Sequence, residues 1–440
     1  MRHHTTPLSQ PVFSEPVFNE GSFTPDPSHE STPHPSDAEL YRELGNALKK
    51  NVVGFDRSRI KDDVVFPLTE AFGARGPDVV AAIEAAGAVT FHVIGDSGAS
   101  NDGKYLHELH VADQLTADFI TSPAASRPAF LFSLGDVVYD FGESQYYYDQ
   151  FYEPYRNYPA PIFAIPGNHD SFIVPGTTTG NEPLAIFARN FCAEQHEITA
   201  EAASLHRTAM IQPGVYFALD VPFARVIGLF SNALEDPGLI SDQNGHWPGV
   251  PRYQLDFLKA QLARIKTENY AGAVLLAMHH PPFTYQPATG SKAGSHAGST
   301  DMLREIDTIC AEVGVYPHAV LSGHAHNYQR YTRVVQLGGG RFEVPFVVCG
   351  CGGHNVNPIA KASLEPAFGV RVDHLDPKPA LSTAGLTLEK YDDRNYGYLK
   401  ITVDQNKLQI AFHNVNETSL SQSRFDLVSI DLASHLKVAN

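Results

Sequence analysis

Residues 131–140 read LFSLGDVVYD, and the interpretation of the whole fold starts from this stretch. Its first part is apolar and short enough to form a central strand of a parallel sheet. Asp136 and Tyr139 would then follow the carboxyl end of that strand, where open α/β sheets place their functional sites. Taken alone, the stretch fits equally well an ordinary strand-to-helix turn with Asp136 as the helix cap, so the other strands must decide.

Four other apolar stretches end in the same way, with polar side chains that could act as ligands. They are residues 88–94, followed by Asp96; residues 161–165, followed by Asn168 and His169; residues 271–278, followed by His279; and residues 319–322, followed by His324 and His326. Helices are predicted at 104–119, 184–191, 253–266 and 300–313, a hairpin at 215–230, and antiparallel strands from 328 to 415. We therefore predict an α/β fold of two packed mixed β-sheets flanked by helices, with the polar loops gathered at one edge.

Composition and charge exclude several classes of partner. The net charge of −17 and the isoelectric point near 5.6 argue against general binding to nucleic acids or anionic membranes, which requires a basic face. Four cysteines in 440 residues are too few for a disulfide framework and suit a reducing compartment. The first residues lack the apolar core of a signal peptide and no window approaches a membrane span, so we expect a cytoplasmic location.

The candidate ligands gain weight from each other. Each alone is weak evidence, because a carboxylate after glycine usually belongs to a turn and a His-x-His pair on a strand usually faces solvent. Together the five strand ends supply enough oxygen and imidazole ligands for two metal ions, with Asp136 as the carboxylate shared between them. A structural site for a single metal ion fits poorly, because there are too many ligands and no thiolate among them.

The order of five motifs gives the chain a family resemblance. Gly-Asp at 95–96, Gly-Asp-x-x-Tyr at 135–139, Gly-Asn-His-Asp at 167–170, His-x-Pro at 279–281 and Gly-His-x-His at 323–326 resemble those of the calcineurin-like metallophosphoesterases. Most members of that superfamily have a histidine two residues after the first aspartate, where this chain has Gly98. This chain instead has Tyr139 three residues after the second aspartate, and that exchange resembles the purple acid phosphatases.

The resemblance implies a dinuclear phosphohydrolase acting on a small phosphorylated substrate. It implies a first metal held by Asp96, Asp136, Tyr139 and His326, and a second held by Asp136, Asn168, His279 and His324. The phenolate and carboxylates of the first site favour Fe³⁺, whereas the amide and imidazoles of the second suit Fe²⁺, Zn²⁺ or Mn²⁺. Two such cations neutralise phosphate oxygens and lower the pKa of a bound water, which can then attack as hydroxide.

The type of phosphate ester stays open at this point. A phosphomonoesterase is the leading interpretation, and a phosphodiesterase, including one for cyclic nucleotides, would use the same ligands. A non-catalytic binding protein on the same fold would be expected to have lost ligands, and none of them is missing here.

Two further histidines are predicted to assist departure of the leaving group. His169 follows Asn168 and should reach the cleft edge without binding the same ion, and His296 lies on a Gly/Ser loop able to fold over the site. His296 alone represents the paired phosphate-binding histidines that the family has in this region. Residues 352–355 are predicted to form a turn near the site, with His354 as a further possible substrate contact.

The chain divides into four segments on these grounds. Residues 1–38, rich in Pro, Ser, Thr and His, are predicted to be a disordered tail. Residues 39–87 form a lead-in segment, residues 88–415 the metallophosphoesterase catalytic domain and residues 416–440 a C-terminal extension. Nothing in the sequence indicates an oligomeric state.

Overall fold

The structure is a computed structural model that describes residues 64–100, 102–139, 141–171, 183–203, 205–234, 237–247, 250–284, 296, 298–359, 370–371 and 385–439. The tail predicted at residues 1–38 and the first part of the lead-in segment lie outside the described residues.

Helices and strands alternate in the first part of the chain, and strands dominate the rest. The helices are α1 (Leu68–Ala71), α2 (Gly76–Ala86), α3 (Asp102–Thr121), α4 (Pro183–Phe191), α5 (Tyr253–Thr267) and α6 (Thr300–Val313). The strands are β1 (Val65–Pro67), β2 (Ala88–Ile94), β3 (Leu131–Ser133), β4 (Ile162–Ala164), β5 (Phe217–Val221), β6 (Ala224–Leu229), β7 (Ala273–Met278), β8 (Ala319–Ser322), β9 (Tyr328–Leu337), β10 (Gly340–Cys349), β11 (Val370–Arg371), β12 (Leu386–Asp392), β13 (Tyr396–Asp404), β14 (Lys407–Asn416), β15 (Ser421–Asp431) and β16 (Lys437–Val438).

One sheet contains the strand that opened the sequence argument. Within the described residues it has seven strands in the order β16-β15-β14-β13-β2-β3-β4. The neighbours β2, β3 and β4 are parallel, and the remaining pairs are antiparallel. The three parallel strands are short and almost wholly buried, which explains why they read as apolar runs rather than alternating ones. Residues 416–440, predicted as an extension, contribute β15 and β16 to this sheet.

The other sheet has nine strands within the described residues, in the order β1-β5-β6-β7-β8-β10-β9-β12-β11. β6, β7, β8 and β10 are parallel neighbours. β5 and β6 pair in antiparallel fashion, as the sequence predicted for the hairpin. β1, which belongs to the predicted lead-in segment, pairs with β5 at the edge.

Aromatic side chains fill the space between the two sheets. Phe132 of β3 and Phe163 of β4 lie with their ring centroids 6.2 and 6.4 Å from that of Phe217 on β5. Tyr328 of β9 stacks on Phe412 of β14 at 4.0 Å. All five rings are buried, so removal of this apolar surface from water is the main force that holds the sheets face to face.

Helices cover the outer faces of both sheets. α5 packs on α6, and Gln254 of α5 accepts a hydrogen bond of 2.8 Å from the N–H of Phe230, which follows β6. α3 lies against β13 and β14, where Lys400 donates to Asp118 at 3.0 Å. The predicted fold of two mixed sheets flanked by helices is therefore confirmed. No helix within the described ranges is long and apolar enough to cross a lipid bilayer.

The topology brings the polar loops together. The loops with the candidate ligands follow β2, β3 and β4 in one sheet and β7 and β8 in the other. Because parallel strands end at the same edge of their sheet, these five loops meet where the corresponding edges of the two sheets adjoin.

Candidate metal centre

The candidate ligands lie on sharp turns directly after their strands. Asp96, Asp136 and His324 have φ angles of 56°, 55° and 66°, in the left-handed region that residues other than glycine seldom adopt. Such strained residues cluster at functional sites, where the surrounding structure compensates for their cost. Gly167 is required beside them, because a Cβ atom there would lie 2.1 Å from Asp136 Oδ1.

Tyr139 lies at the centre of a first group of ligand atoms. Its hydroxyl donates to Asp136 Oδ2 at 2.9 Å, and it lies 3.2 Å from Asp96 Oδ1 and 3.3 Å from His326 Nε2. Asp96 Oδ1 and His326 Nε2 are themselves 3.3 Å apart. All four side chains are buried. The structure thus brings together the four residues that the sequence assigned to the first metal.

Asn168 lies at the centre of a second group. Its Oδ1 is 3.0 Å from His279 Nε2 and 3.2 Å from His324 Nδ1. His279 Nε2 also lies 3.3 Å from Asp136 Oδ2, so Asp136 belongs to both groups. Asp136, His279 and His324 each offer one ligand atom within 4.8 Å of the others. The Nδ1–H of His279 donates to the carbonyl of Leu134 at 2.9 Å, which turns Nε2 toward the other ligands.

The electrostatics of the two groups favour a bound cation. Burial raises the pKa of Asp96 to about 8, and repulsion from Asp136 adds to the rise. Burial also opposes ionisation of Asp136, but His279 and His169 lower its pKa. Burial alone would lower the pKa of His279, yet Asp136 and Asp96 raise it to about 9. Two buried carboxylates therefore compete for positive charge, and cations between them would satisfy both.

The donor atoms also fit metal ions chemically. They comprise two carboxylates, a phenol, an amide oxygen and three imidazoles, the ligands that iron, zinc and manganese accept. Burial, with repulsion from the neighbouring imidazoles of His280 and His296, holds the pKa of His324 well below its usual value. The His324 ring is therefore neutral, which is the form that binds metal.

The two predicted catalytic histidines both lie beside these groups. The backbone N–H of His169 donates to Asp136 Oδ1 at 2.9 Å, whereas its ring nitrogen Nε2 is 4.0 Å from Asp136 Oδ2. The His169 ring lies against Tyr139, with centroids 4.1 Å apart, and keeps 12% of its side chain exposed. The His296 ring lies 4.8 Å from that of His324 and 4.9 Å from that of His326.

Gln150 and Gly98 explain how Tyr139 is accommodated. Gln150, in a π-helical turn at Tyr148–Tyr152, accepts from the Tyr139 N–H at 2.8 Å and donates to the Tyr139 carbonyl at 2.6 Å. A Cβ atom on residue 98 would lie 2.4 Å from the Val137 carbonyl oxygen and 2.9 Å from Gln150 Oε1. No side chain fits at position 98 in this backbone, so glycine there and tyrosine at 139 belong to one arrangement.

The sequence analysis missed further residues around the centre. Asn355 is hydrogen-bonded through Oδ1 to Nδ1 of His326 and so orients that imidazole. His354, predicted on a turn near the site, stacks on Tyr139 with ring centroids 3.5 Å apart. Lys104, in the first turn of α3, contacts His354. Asn355, Lys104 and Gln150 belong to no motif, and only the Gly352-Gly353 turn hinted at close packing here.

Comparisons with known proteins agree with this geometry. A family model for the calcineurin-like phosphoesterases matches residues 89–328. Among solved structures, the chain is similar to PhoD, with 13% identity, a TM-score of 0.46, and coverage of 80% of this chain and 72% of that one. It is also similar to GAP50 of Plasmodium, the anchor in the inner membrane complex, with 12% identity, a TM-score of 0.45, and coverage of 77% and 88%. No curated protein sequence matches the chain significantly.

The matched segment contains the family's decisive elements. Residues 89–328 span more than half of the chain and include every loop that carries a candidate metal ligand. The chain therefore belongs to the calcineurin-like phosphoesterase family, whose members imply metal-dependent hydrolysis of phosphate esters.

Proposed function

We propose that this protein hydrolyses phosphate monoesters with two metal ions that share Asp136. The observation that supports the proposal most strongly is the division of the ligands into two groups. Tyr139 Oη and Asn168 Oδ1 each lie at the centre of one group, and Asp136 Oδ2 lies within 3.3 Å of a member of each. When bound, the two cations would neutralise phosphate oxygens and lower the pKa of a water molecule for attack on phosphorus.

The donor sets favour different metals in the two positions. Asp96, Asp136 and Tyr139 would place hard, negatively charged oxygen atoms on the first ion, which favours Fe³⁺. Asn168, His279 and His324 would supply neutral donors to the second, which suits Fe²⁺, Zn²⁺ or Mn²⁺. A tyrosine in this position is the feature that resembles the purple acid phosphatases.

The chain's own residues would act on the substrate from the side of the second ion. His169 is held by the bond from its backbone N–H to Asp136, and its ring nitrogen is too far from Asp136 for a close contact. Its imidazole would donate a proton to the leaving oxygen of the substrate. His296, beside His324 and His326, would contact the phosphate or the leaving group from the other side.

Rates on paired substrates test the proposed reaction. Protein with a measured metal content is assayed on 4-nitrophenyl phosphate and on bis(4-nitrophenyl) phosphate, which share a leaving group. We expect the monoester to have the larger kcat/KM. A larger value for the diester would replace the proposal with a phosphodiesterase. Hydrolysis of neither ester by protein that holds two metal ions would indicate a binding protein instead.

A further inference from the structure

Tyr139 is enclosed on both faces by imidazole rings. His169 covers one face, and His354 stacks on the other with ring centroids 3.5 Å apart and an angle of 20° between the planes. His354 is 6% exposed and does not belong to either group of candidate ligands. Its stacking fixes the plane of the tyrosine ring and therefore the direction in which the hydroxyl points.

His354 is itself held by three hydrogen bonds. Its backbone N–H donates to the carbonyl of Asp96 at 3.0 Å. Its Nδ1 lies 2.8 Å from the carbonyl of Gly98, and its Nε2 lies 2.6 Å from Lys104 Nζ. A carbonyl only accepts and an ammonium only donates, so Nδ1 carries the proton and Nε2 is the acceptor. The ring is thus a neutral imidazole in a defined tautomer.

Lys104 places a positive charge directly behind this ring. Its ammonium group donates to His354 Nε2 and also to Ser100 Oγ at 2.9 Å. Lys104 lies in the first turn of α3, so the helix fixes the origin of its side chain. A continuous series of contacts runs from the Lys104 ammonium through His354 to the face of the Tyr139 ring.

We propose that Lys104 and His354 are positioning residues that orient Tyr139 and stabilise the negative charge of its phenolate when it binds Fe³⁺. This inference rests on the proposed function, because it requires Tyr139 to be a metal ligand. The visible colour of a phenolate bound to Fe³⁺ arises from transfer of an electron out of the phenolate. A positive charge beside the ring makes that transfer harder, so the Lys104 charge shifts the absorption band to shorter wavelength.

The absorption spectrum of the iron-loaded protein tests this inference, with iron content measured first. Lys104→Met should move the charge-transfer band to longer wavelength at unchanged iron content, whereas Lys104→Arg should restore it toward the wild-type position. Lys266→Met is the matched control, because Lys266 Nζ also donates to an uncharged acceptor, the carbonyl of Val313 at 2.6 Å, far from Tyr139 in the fold. This control should leave the band unchanged.

A second variant separates orientation from charge. His354→Leu removes the stacked imidazole and the link to Lys104, and it should broaden the band as well as shift it, because the tyrosine ring then takes several orientations. A band that stays in place in both Lys104→Met and His354→Leu would overturn the inference. A colourless wild-type protein with a full complement of Fe³⁺, or a colour that survives Tyr139→Phe, would instead contradict the metal assignment under the proposed function.

Discussion

Asp136 connects more of the candidate centre than any other residue. Its Oδ1 accepts from the His169 N–H, and its Oδ2 is close to the Tyr139 hydroxyl and to His279 Nε2. Its backbone has a φ of 55°, a conformation that aspartate and asparagine tolerate better than most residues. Asp136→Asn therefore preserves the backbone while it removes the charge that both metal ions would share.

We expect Asp136→Asn to lose metal from both positions and to lower kcat about 100-fold or more, because outer residues that only orient ligands already cost about 10–100-fold. Metal analysis and rates on 4-nitrophenyl phosphate measure the two effects. Asp393→Asn is the control, since Asp393 only accepts from the N–H of Ile359 at 2.9 Å. Retention of two metal ions and normal turnover by Asp136→Asn would rule out the shared carboxylate.

The role of His169 can be separated by the leaving group. An alkyl phosphate needs a proton on its departing oxygen, whereas a nitrophenyl phosphate does not, and general acid catalysis contributes about 10²–10⁴ in rate. His169→Ala should therefore lose much more kcat on the alkyl ester than on 4-nitrophenyl phosphate, with its metal content intact. Equal losses on the two esters would reduce His169 to a residue that only braces its loop. The same comparison applies to His296→Ala.

At the scale of elements, Asp170 connects two of the ligand loops. Its carboxylate accepts from the backbone N–H groups of Val137, Val138 and Gly167 at 2.9–3.1 Å. The loop after β4 is thereby fixed to the loop after β3, and Asn168 is fixed relative to Asp136. The buried carboxylate replaces the water that these amide groups would otherwise bind.

Asp170→Asn should lower the free energy of unfolding by about 1–3 kcal/mol, because an amide group turns an N–H toward donors that need an acceptor. Urea denaturation measures the change. Asp404→Asn is the control, because Asp404 accepts from the backbone N–H groups of Asn406 and Lys407 in an exposed turn where water can take over. A loss no greater in Asp170→Asn than in Asp404→Asn would show that the two loops are held by other contacts.

The sequence predicted these elements well where local pattern decides them. The runs that became β2, β3, β7 and β8 are apolar because the strands are buried on both faces, and the residue that follows each run fixes the start of its loop. The helix predicted at 300–313 coincides with α6. The confirmed fold class follows from that alternation of strands and helices.

Local pattern could not predict how residues distant in sequence support Tyr139. Gln150 binds its backbone, Gly98 leaves room for that contact, and His354 covers its ring. These contacts join segments separated by up to 256 positions, as in the bond between His354 and the Gly98 carbonyl. They depend on how the two sheets meet, and no single stretch of sequence contains that information.

At the scale of the whole molecule, buried histidines make the folded state sensitive to acid. His318 accepts from the Val274 N–H at 3.0 Å through Nδ1 and lies 3.2 Å from the Leu432 carbonyl through Nε2. Burial, with repulsion from His435, lowers the pKa of His318 to about 3. The folded state therefore keeps this ring neutral, whereas the unfolded chain protonates it below about pH 6.5.

The stability that His318 contributes is complete above the unfolded pKa and is lost as the pH falls toward 3. Between pH 7 and pH 5 the loss from this residue should be about 2 kcal/mol in the free energy of unfolding. His318→Gln keeps both hydrogen bonds without a titrating group, so its stability should fall by that much less over the same interval. Urea denaturation of both proteins at the two pH values measures the difference, and equal losses would contradict the assignment.

The shared carboxylate also ties the two sheets into one functional unit, since the loops it joins come from both. A crystal structure of the metal-loaded protein, with anomalous difference maps recorded at the iron and zinc edges, tests this most directly. We predict two anomalous peaks, one beside Tyr139 and one beside Asn168, with the Asp136 carboxylate bonded to both. A single peak, or two peaks of which only one is bonded to Asp136, would contradict the account.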